Sequence, residues 1–172
     1  MVHNRQRYGL FACSGILYNH ESPLRPPQFV TRKVCLAAAS IKLGLTDSLE
    51  MGNLDAKRDW GFAGDYAEAM WRILQVDEPE DYVIGTGHLH SVRELVATAF
   101  DCVGLDWTRY VAVNPELLRQ DEHFQLVANP TKAKRNLGWE PQVSFEEIVP
   151  EMVKKDLERL QNGAMAPIAR DL

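Results

Sequence analysis

Leu10-Phe11-Ala12-Cys13-Ser14-Gly15-Ile16-Leu17 is a nearly continuous apolar run with small residues inside it, and the polar string Tyr18-Asn19-His20-Glu21-Ser22-Pro23 follows directly. A run without polar alternation suits a strand covered on both faces, as in a parallel sheet, so residues 10–17 are expected to form one. Open α/β sheets place ligands outside the carboxyl ends of their strands, and Asn19 follows such an end. A second short strand is expected at Tyr82-Val83-Ile84, closed by Gly85-Thr86-Gly87.

Helices are expected between these strands. Residues 29–43 carry Val30, Val34, Ala37, Ala38 and Ile41 at helical spacing and stop at Gly44. Residues 64–75 place Ala67, Met70, Trp71 and Leu74 on one face, which predicts that face as the buried one. Ser91 with Glu94, and Ser144 with Glu147, have the spacing of capping boxes and open helices that run toward Gly104 and Leu160. Asn129-Pro130-Thr131 starts a shorter helix ended by Gly138. Short strands are expected at 49–52 and 110–113, a polar loop at 53–59 and a solvated acidic turn at 77–81. The stretch 161–172 has no clear period and reads as a flexible tail after one unit spanning 1–160.

Composition narrows the function. The chain has 172 residues, 45% of them hydrophobic and 25% charged, as in an ordinary globular protein. A net charge of -5 argues against nucleic acid, because neutralising phosphates requires a clustered cationic excess. No apolar run approaches a membrane span and the first residues lack the apolar core of a signal peptide, so a cytoplasmic location and no membrane partner are expected. Cys13, Cys35 and Cys102 fit neither a disulfide framework nor a zinc site and are expected to be small buried hydrophobes. His88 and His90 lack a third ligand at metal spacing, so no metal site is assigned. Asp59, Trp60 and Asp65 read as helix-entry and core residues.

Three stretches carry a family resemblance. They are Tyr8 to Pro23, Phe29-Val30-Thr31-Arg32-Lys33-Val34, and Gly52-Asn53-Leu54-Asp55-Ala56-Lys57-Arg58-Asp59-Trp60-Gly61, and the likeness continues through His90-Ser91-Val92-Arg93-Glu94 to Leu137-Gly138-Trp139. The chain resembles the GDP-mannose 4,6-dehydratases, members of the extended short-chain dehydrogenase/reductase family. The resemblance implies an α/β fold equivalent to the C-terminal half of such an enzyme: the last strands of a Rossmann sheet plus the small α/β substrate-binding domain. It implies that Asn19 contacts the nucleotide sugar, that Lys33 and Arg58 hold the GDP diphosphate, and that Arg119 and Glu122 complete the nucleotide pocket. Val30 and Gly52 would allow close backbone approach to ribose and base. His20 and Arg25 match positions that contact NADP, whose extra phosphate suits a guanidinium.

The chain departs from the family pattern in two places. Leu24-Arg25-Pro26-Pro27 stands where members have two basic residues and a glycine-containing loop, and Arg119-Gln120-Asp121-Glu122-His123 replaces a more usual Arg-Pro-Thr-Glu-Val. Neither a Gly-x-x-Gly-x-x-Gly turn for the cofactor pyrophosphate nor a Tyr-x-x-x-Lys pair occurs in these 172 residues. The sequence therefore implies a nucleotide-sugar-binding half, inactive alone, with GDP-mannose or a related GDP-sugar as ligand. Strands without their sheet mates imply a homo-oligomer or association with a separate N-terminal half. A related GDP-sugar reductase or epimerase, and a non-catalytic binding or oligomerisation subunit, are the alternative readings.

Overall fold

The apolar run that opens the chain pairs over only part of its length. The computed structural model describes residues 1–118 and 125–166, and in it the first helix, α1 (Val2–Tyr8), ends at Gly9 with φ +60. Strand β1 is confined to Gly15–Leu17. The pairing starts at Ser14, whose carbonyl accepts from the Tyr82 amide at 2.9 Å while its own amide donates to the Asp81 carboxylate at 2.9 Å, and the same carboxylate receives the Arg5 guanidinium at 3.0 and 3.4 Å. The expected strand over 10–17 is thus cut to its last three residues, and the acidic turn supplies the anchor at its start.

β1 runs parallel to β6 (Tyr82–Ile84), with Gly15 opposite Tyr82 and Leu17 opposite Ile84. The chain bends at Tyr18, whose amide donates to the Ile84 carbonyl, and enters β2 (Asn19–Glu21). β2 lies parallel to β5 (Trp60–Phe62), with Asn19 opposite Trp60. β3 (Leu49–Met51) is parallel to β8 (Val111–Val113), and β4 (Lys57–Arg58) is antiparallel to β7 (His90–Ser91). β4 and β7 were not foreseen. Two-residue bridges are too short to show alternation, and 53–59 reads as a loop.

α2 (Val30–Lys42) is the central helix, with Val34, Cys35, Ala37, Ala38 and Ala39 fully covered. Its small residues allow close approach to α4 (Val92–Asp101) and α6 (Phe145–Gln161), and these three helices with β3 and Trp60 form the larger core. Both expected capping boxes are present, at Ser91 with Glu94 and Ser144 with Glu147. A smaller core gathers Tyr66, Ala69 and Ile73 of α3 (Ala63–Ile73), Tyr82 and Ile84, Ala133 of α5 (Thr131–Leu137), and Trp139. The Trp139 indole donates to the Asp65 carbonyl at 2.8 Å and fastens the two helices.

Two expectations about burial are corrected. α3 buries the stripe Tyr66, Ala69, Ile73, while Met70, Trp71 and Leu74 are 44%, 62% and 60% exposed. Both stripes have helical spacing, and only the tertiary neighbours choose between them. Of the cysteines, Cys35 is buried, Cys13 half-buried and Cys102 exposed, with the Cys102 thiol donating to the Thr98 carbonyl. Among the described residues no helix is long and apolar enough to cross a membrane.

Candidate functional site

Successive side chains of a strand point to opposite faces, and β2 uses this to divide its polar residues. Asn19 and Glu21 line a cleft of about 500 Å³, whereas His20 does not. The His20 ring lies instead 5.2 Å from the Tyr66 ring, with Nδ1 donating to the Tyr18 carbonyl at 2.9 Å. The Tyr66 hydroxyl beneath it is buried with no hydrogen-bond partner among the described residues, and burial pushes its pKa well above the ordinary tyrosine value.

Four further segments meet β2 at the cleft. The start of α2 gives Phe29, Val30 and Lys33; the end of β3 and the turn after it give Met51, Gly52 and Asn53; β4 gives Arg58; and Leu117 closes the rim. Asn19, Val30, Lys33, Gly52 and Arg58, the described substrate-binding candidates, therefore share one cleft. Arg25, assigned to the cofactor, lines it too, so the two cofactor candidates are not together: Arg25 faces the cleft and His20 the opposite side of β2. Arg119 and Glu122 lie outside the described residues.

The electrostatics favour an anion. No side chain caps the first turn of α2 and no acidic residue lies within it, so the positive end of the helix dipole is turned to the cleft, with Glu21, bonded to Thr31, as the acidic group beside it. Lys33 is half-buried and desolvation lowers its pKa, opposed by the Glu50 charge. Arg58 extends from β4 opposite His90, with Nη1 donating to the Lys57 carbonyl at 2.8 Å. The buried Glu21 carboxylate that lines the cleft accepts from the Thr31 hydroxyl at 2.6 Å and lies 3.4 Å from Arg25 Nε. Burial pushes its pKa up, against the Thr31 hydrogen bond and the Arg25 charge. Arg25 itself stacks its guanidinium over the Phe29 ring at 3.6 Å.

The comparisons bear on what this arrangement is for. Residues 1–152 match the model of the GDP-mannose 4,6 dehydratase family. The chain belongs to that family. It is 52% identical over 157 residues to GDP-mannose 4,6 dehydratase 2 of Arabidopsis thaliana, covering 91% of this chain and 42% of the relative. It is 45% identical over 183 residues to the GDP-mannose 4,6 dehydratase of Homo sapiens, covering 96% of this chain and 49% of the relative. This GDP-mannose 4,6 dehydratase family chain thus spans about half the length of the relatives it matches.

Among solved structures, RMD from Pseudomonas aeruginosa complexed with NADPH superposes with a TM-score of 0.83 at 21% identity, over 92% of this chain and 52% of that one. The UDP-glucose 4-epimerase of Thermotoga maritima with UDP-glucose gives a TM-score of 0.79 at 23% identity, over 92% and 50%. These likenesses show that the chain shares its fold with about half of each of those two proteins.

Sequence reasoning missed Glu21 and Phe29 as cleft residues. Alternation from Asn19 was the available signal for Glu21. Nothing local marked Phe29, which reaches the cleft because the α2 N-terminus does. Gly52 lines the cleft, and a Cβ there would stand 2.5 Å from the Leu117 carbonyl oxygen, so its lack of a side chain also lets the Leu117 backbone approach. His88 and His90 do not converge on a metal site; the His90 ring stacks on Phe145 with centroids 4.1 Å apart, and Asp59 is consumed by the Thr86, Gly87 and Ala128 amides. Among the described residues no cluster of His, Cys, Asp and Glu could hold a metal ion.

Proposed function

We propose that this chain is the nucleotide-sugar-binding half of a GDP-mannose 4,6-dehydratase, and that the cleft between β2 and α2 holds GDP-mannose or a closely related GDP-sugar. The observation that carries this reading is the convergence of Asn19, Lys33 and Arg58, from separate segments, around one cleft in a family member. Lys33, Arg58 and the α2 N-terminus present positive potential to a diphosphate, which is how a chain of net charge -5 can bind an anion locally. The Asn19 side-chain amide donates and accepts, and so can orient a sugar hydroxyl. In this reading Arg119 and Glu122 complete the nucleotide pocket.

The cofactor of the complete enzyme is proposed to be NADP, contacted by His20 and Arg25. Arg25 fits an additional phosphate chemically, and its place in the cleft puts it beside the sugar-nucleotide residues. NADP supplies the hydride exchange by which the sugar is oxidised at C4 and reduced at C6 after water is lost. This chain's residues bind and orient the substrate for that chemistry, while the glycine-rich turn and the Tyr-x-x-x-Lys pair belong to sequence outside these 172 residues. The partner proposed for the exposed α3 face and the open side of β1 is the cofactor-binding Rossmann half, and the complete assembly is proposed to work in the cytoplasm.

Calorimetric titration of the chain with GDP-mannose tests the reading. Saturable binding that weakens in both Lys33→Met and Arg58→Met is expected, with roughly tenfold loss for each charge-assisted contact removed. Absence of binding, or binding indifferent to both substitutions, would overturn the assignment of the cleft. The same preparation with NADP is expected to show no dehydration of GDP-mannose.

A further inference from the structure

Arg25 reaches the cleft from residues 22–27, an irregular segment holding Pro23, Pro26 and Pro27, so no ladder of backbone hydrogen bonds sets its course. Two guanidinium groups from different helices take over that task. Arg32 Nη1 on α2 and Arg159 Nη1 on α6 both donate to the Pro23 carbonyl. Arg32 Nη1 donates also to the carbonyl of Arg25 itself, at 3.1 Å.

Behind both stands Asp156, which is fully buried. Its Oδ2 accepts from Arg32 Nε at 2.8 Å, its Oδ1 lies 2.6 Å from Arg32 Nη2, and Arg159 Nη1 is 3.6 Å from Oδ1. Arg32 is only 2% exposed. A buried ion pair of this type is often no more stabilising than apolar residues of equal volume, because desolvation offsets the attraction. What apolar residues could not supply is the set of donors that the pair aims at two carbonyls of the segment. Arg32 Nε donates to the carboxylate while Nη2 makes an ion-pair contact with Oδ1 and meets Met165 Sδ at 3.6 Å, which leaves Nη1 for the two carbonyls.

We propose that Asp156, Arg32 and Arg159 form a buried clamp that positions residues 22–27 and thereby sets the Arg25 guanidinium at the cleft. They are positioning residues: none of the three lines the cleft, and they act through the backbone of the segment. On the cleft side Glu21 and Phe29 complete the placement of the Arg25 side chain. Pro26 and Pro27 bring no amide donors, and the carbonyls that the clamp holds, of Pro23 and Arg25, need none from them. The clamp's consequence for anion binding rests on the function proposed above; the positioning itself does not.

Amide hydrogen exchange on the full chain tests the clamp without any ligand. The Arg25 amide donates to the Ser22 carbonyl at 3.0 Å and the Leu24 amide to the Ser22 hydroxyl at 3.1 Å, so both report on the segment. Arg159→Met is expected to speed exchange at Leu24 and Arg25 about tenfold while Ala99 and Phe100 in α4 keep their rates, and Arg159→Lys, which retains a donor, is expected to restore most of the protection. Asp156→Asn should act in the same direction more strongly. If it does not fold, the Arg159 pair decides. Unchanged rates at Leu24 and Arg25 in Arg159→Met, or an equal rise in α4, would overturn the proposal. Titration with pyrophosphate is read separately: failure of the unaltered chain to bind counts against the cleft assignment, and the exchange rates still decide the clamp.

Discussion

A methyl group at Gly52 would meet the backbone of Leu117, not a flexible side chain, so it cannot be accommodated by a change of rotamer. Gly52→Ala is therefore expected to displace the segment around Leu117 and to lower stability by about 1–3 kcal/mol, read as a lower urea midpoint at unchanged m-value. A midpoint equal to that of the unaltered chain would show that the segment yields freely. The polar triplet on β2 illustrates what single residues reveal. Asn19, His20 and Glu21 are adjacent in sequence, and the strand period alone separates His20 from the other two. That separation was readable once residue 19 was known to be in a strand. The burial of Glu21 was not, because it depends on Thr31 and Arg25 closing over it.

Among the elements, the two capping boxes were legible from four residues each, since the motif is local and its geometry follows from helix N-terminal backbone alone. At α4 the Ser91 amide donates to the Glu94 carboxylate and the Ser91 hydroxyl accepts from the Glu94 amide at 3.1 Å. The hydrogen bonds from Ser91 hold the Glu94 carboxyl below the usual range, and those from Ser144 do the same to Glu147. With the folded pKa below the unfolded one, this contribution is complete above roughly pH 4.3, the ordinary glutamate value, and fades as pH falls through the folded pKa. Ser91→Ala is expected to cost about 1 kcal/mol near neutrality, with the deficit shrinking in acid. Denaturant titrations at neutral and acidic pH check this, and a deficit that grows in acid would contradict it. Strand β1, by contrast, was read too long, because the anchor at its start is made by Asp81 and Arg5, neither of which lies within it.

At the scale of the whole molecule, one side is left uncovered. β1 has β6 as its only ladder partner among the described residues, and Ile16, in its centre, is 54% exposed. Trp71 and Leu74 on α3, with Leu10 and Phe11 before β1, are also about half or more exposed. A parallel strand pair with an open edge and apolar residues at the surface favours association. Sedimentation of the chain is expected to show oligomers, and the double change Trp71→Lys with Leu74→Lys to raise the monomer fraction while leaving the free energy of unfolding within about 0.5 kcal/mol of the original. A stable monomer before any substitution would refute this account of the uncovered side.

The sequence by itself determined most helices, the parallel strand at 82–84 and the caps, because periodicity and capping are written within a few residues of where they act, while Lys33 and Arg58, which line the cleft, were singled out by the family resemblance. Only the tertiary structure decided which stripe of α3 is buried, where β1 begins, that Arg25 and His20 part company, and that Arg32 and Arg159 meet at Pro23. Each of these depends on groups distant in sequence, as when Asp156 holds Arg32 across 124 positions, and local patterns carry no record of such neighbours.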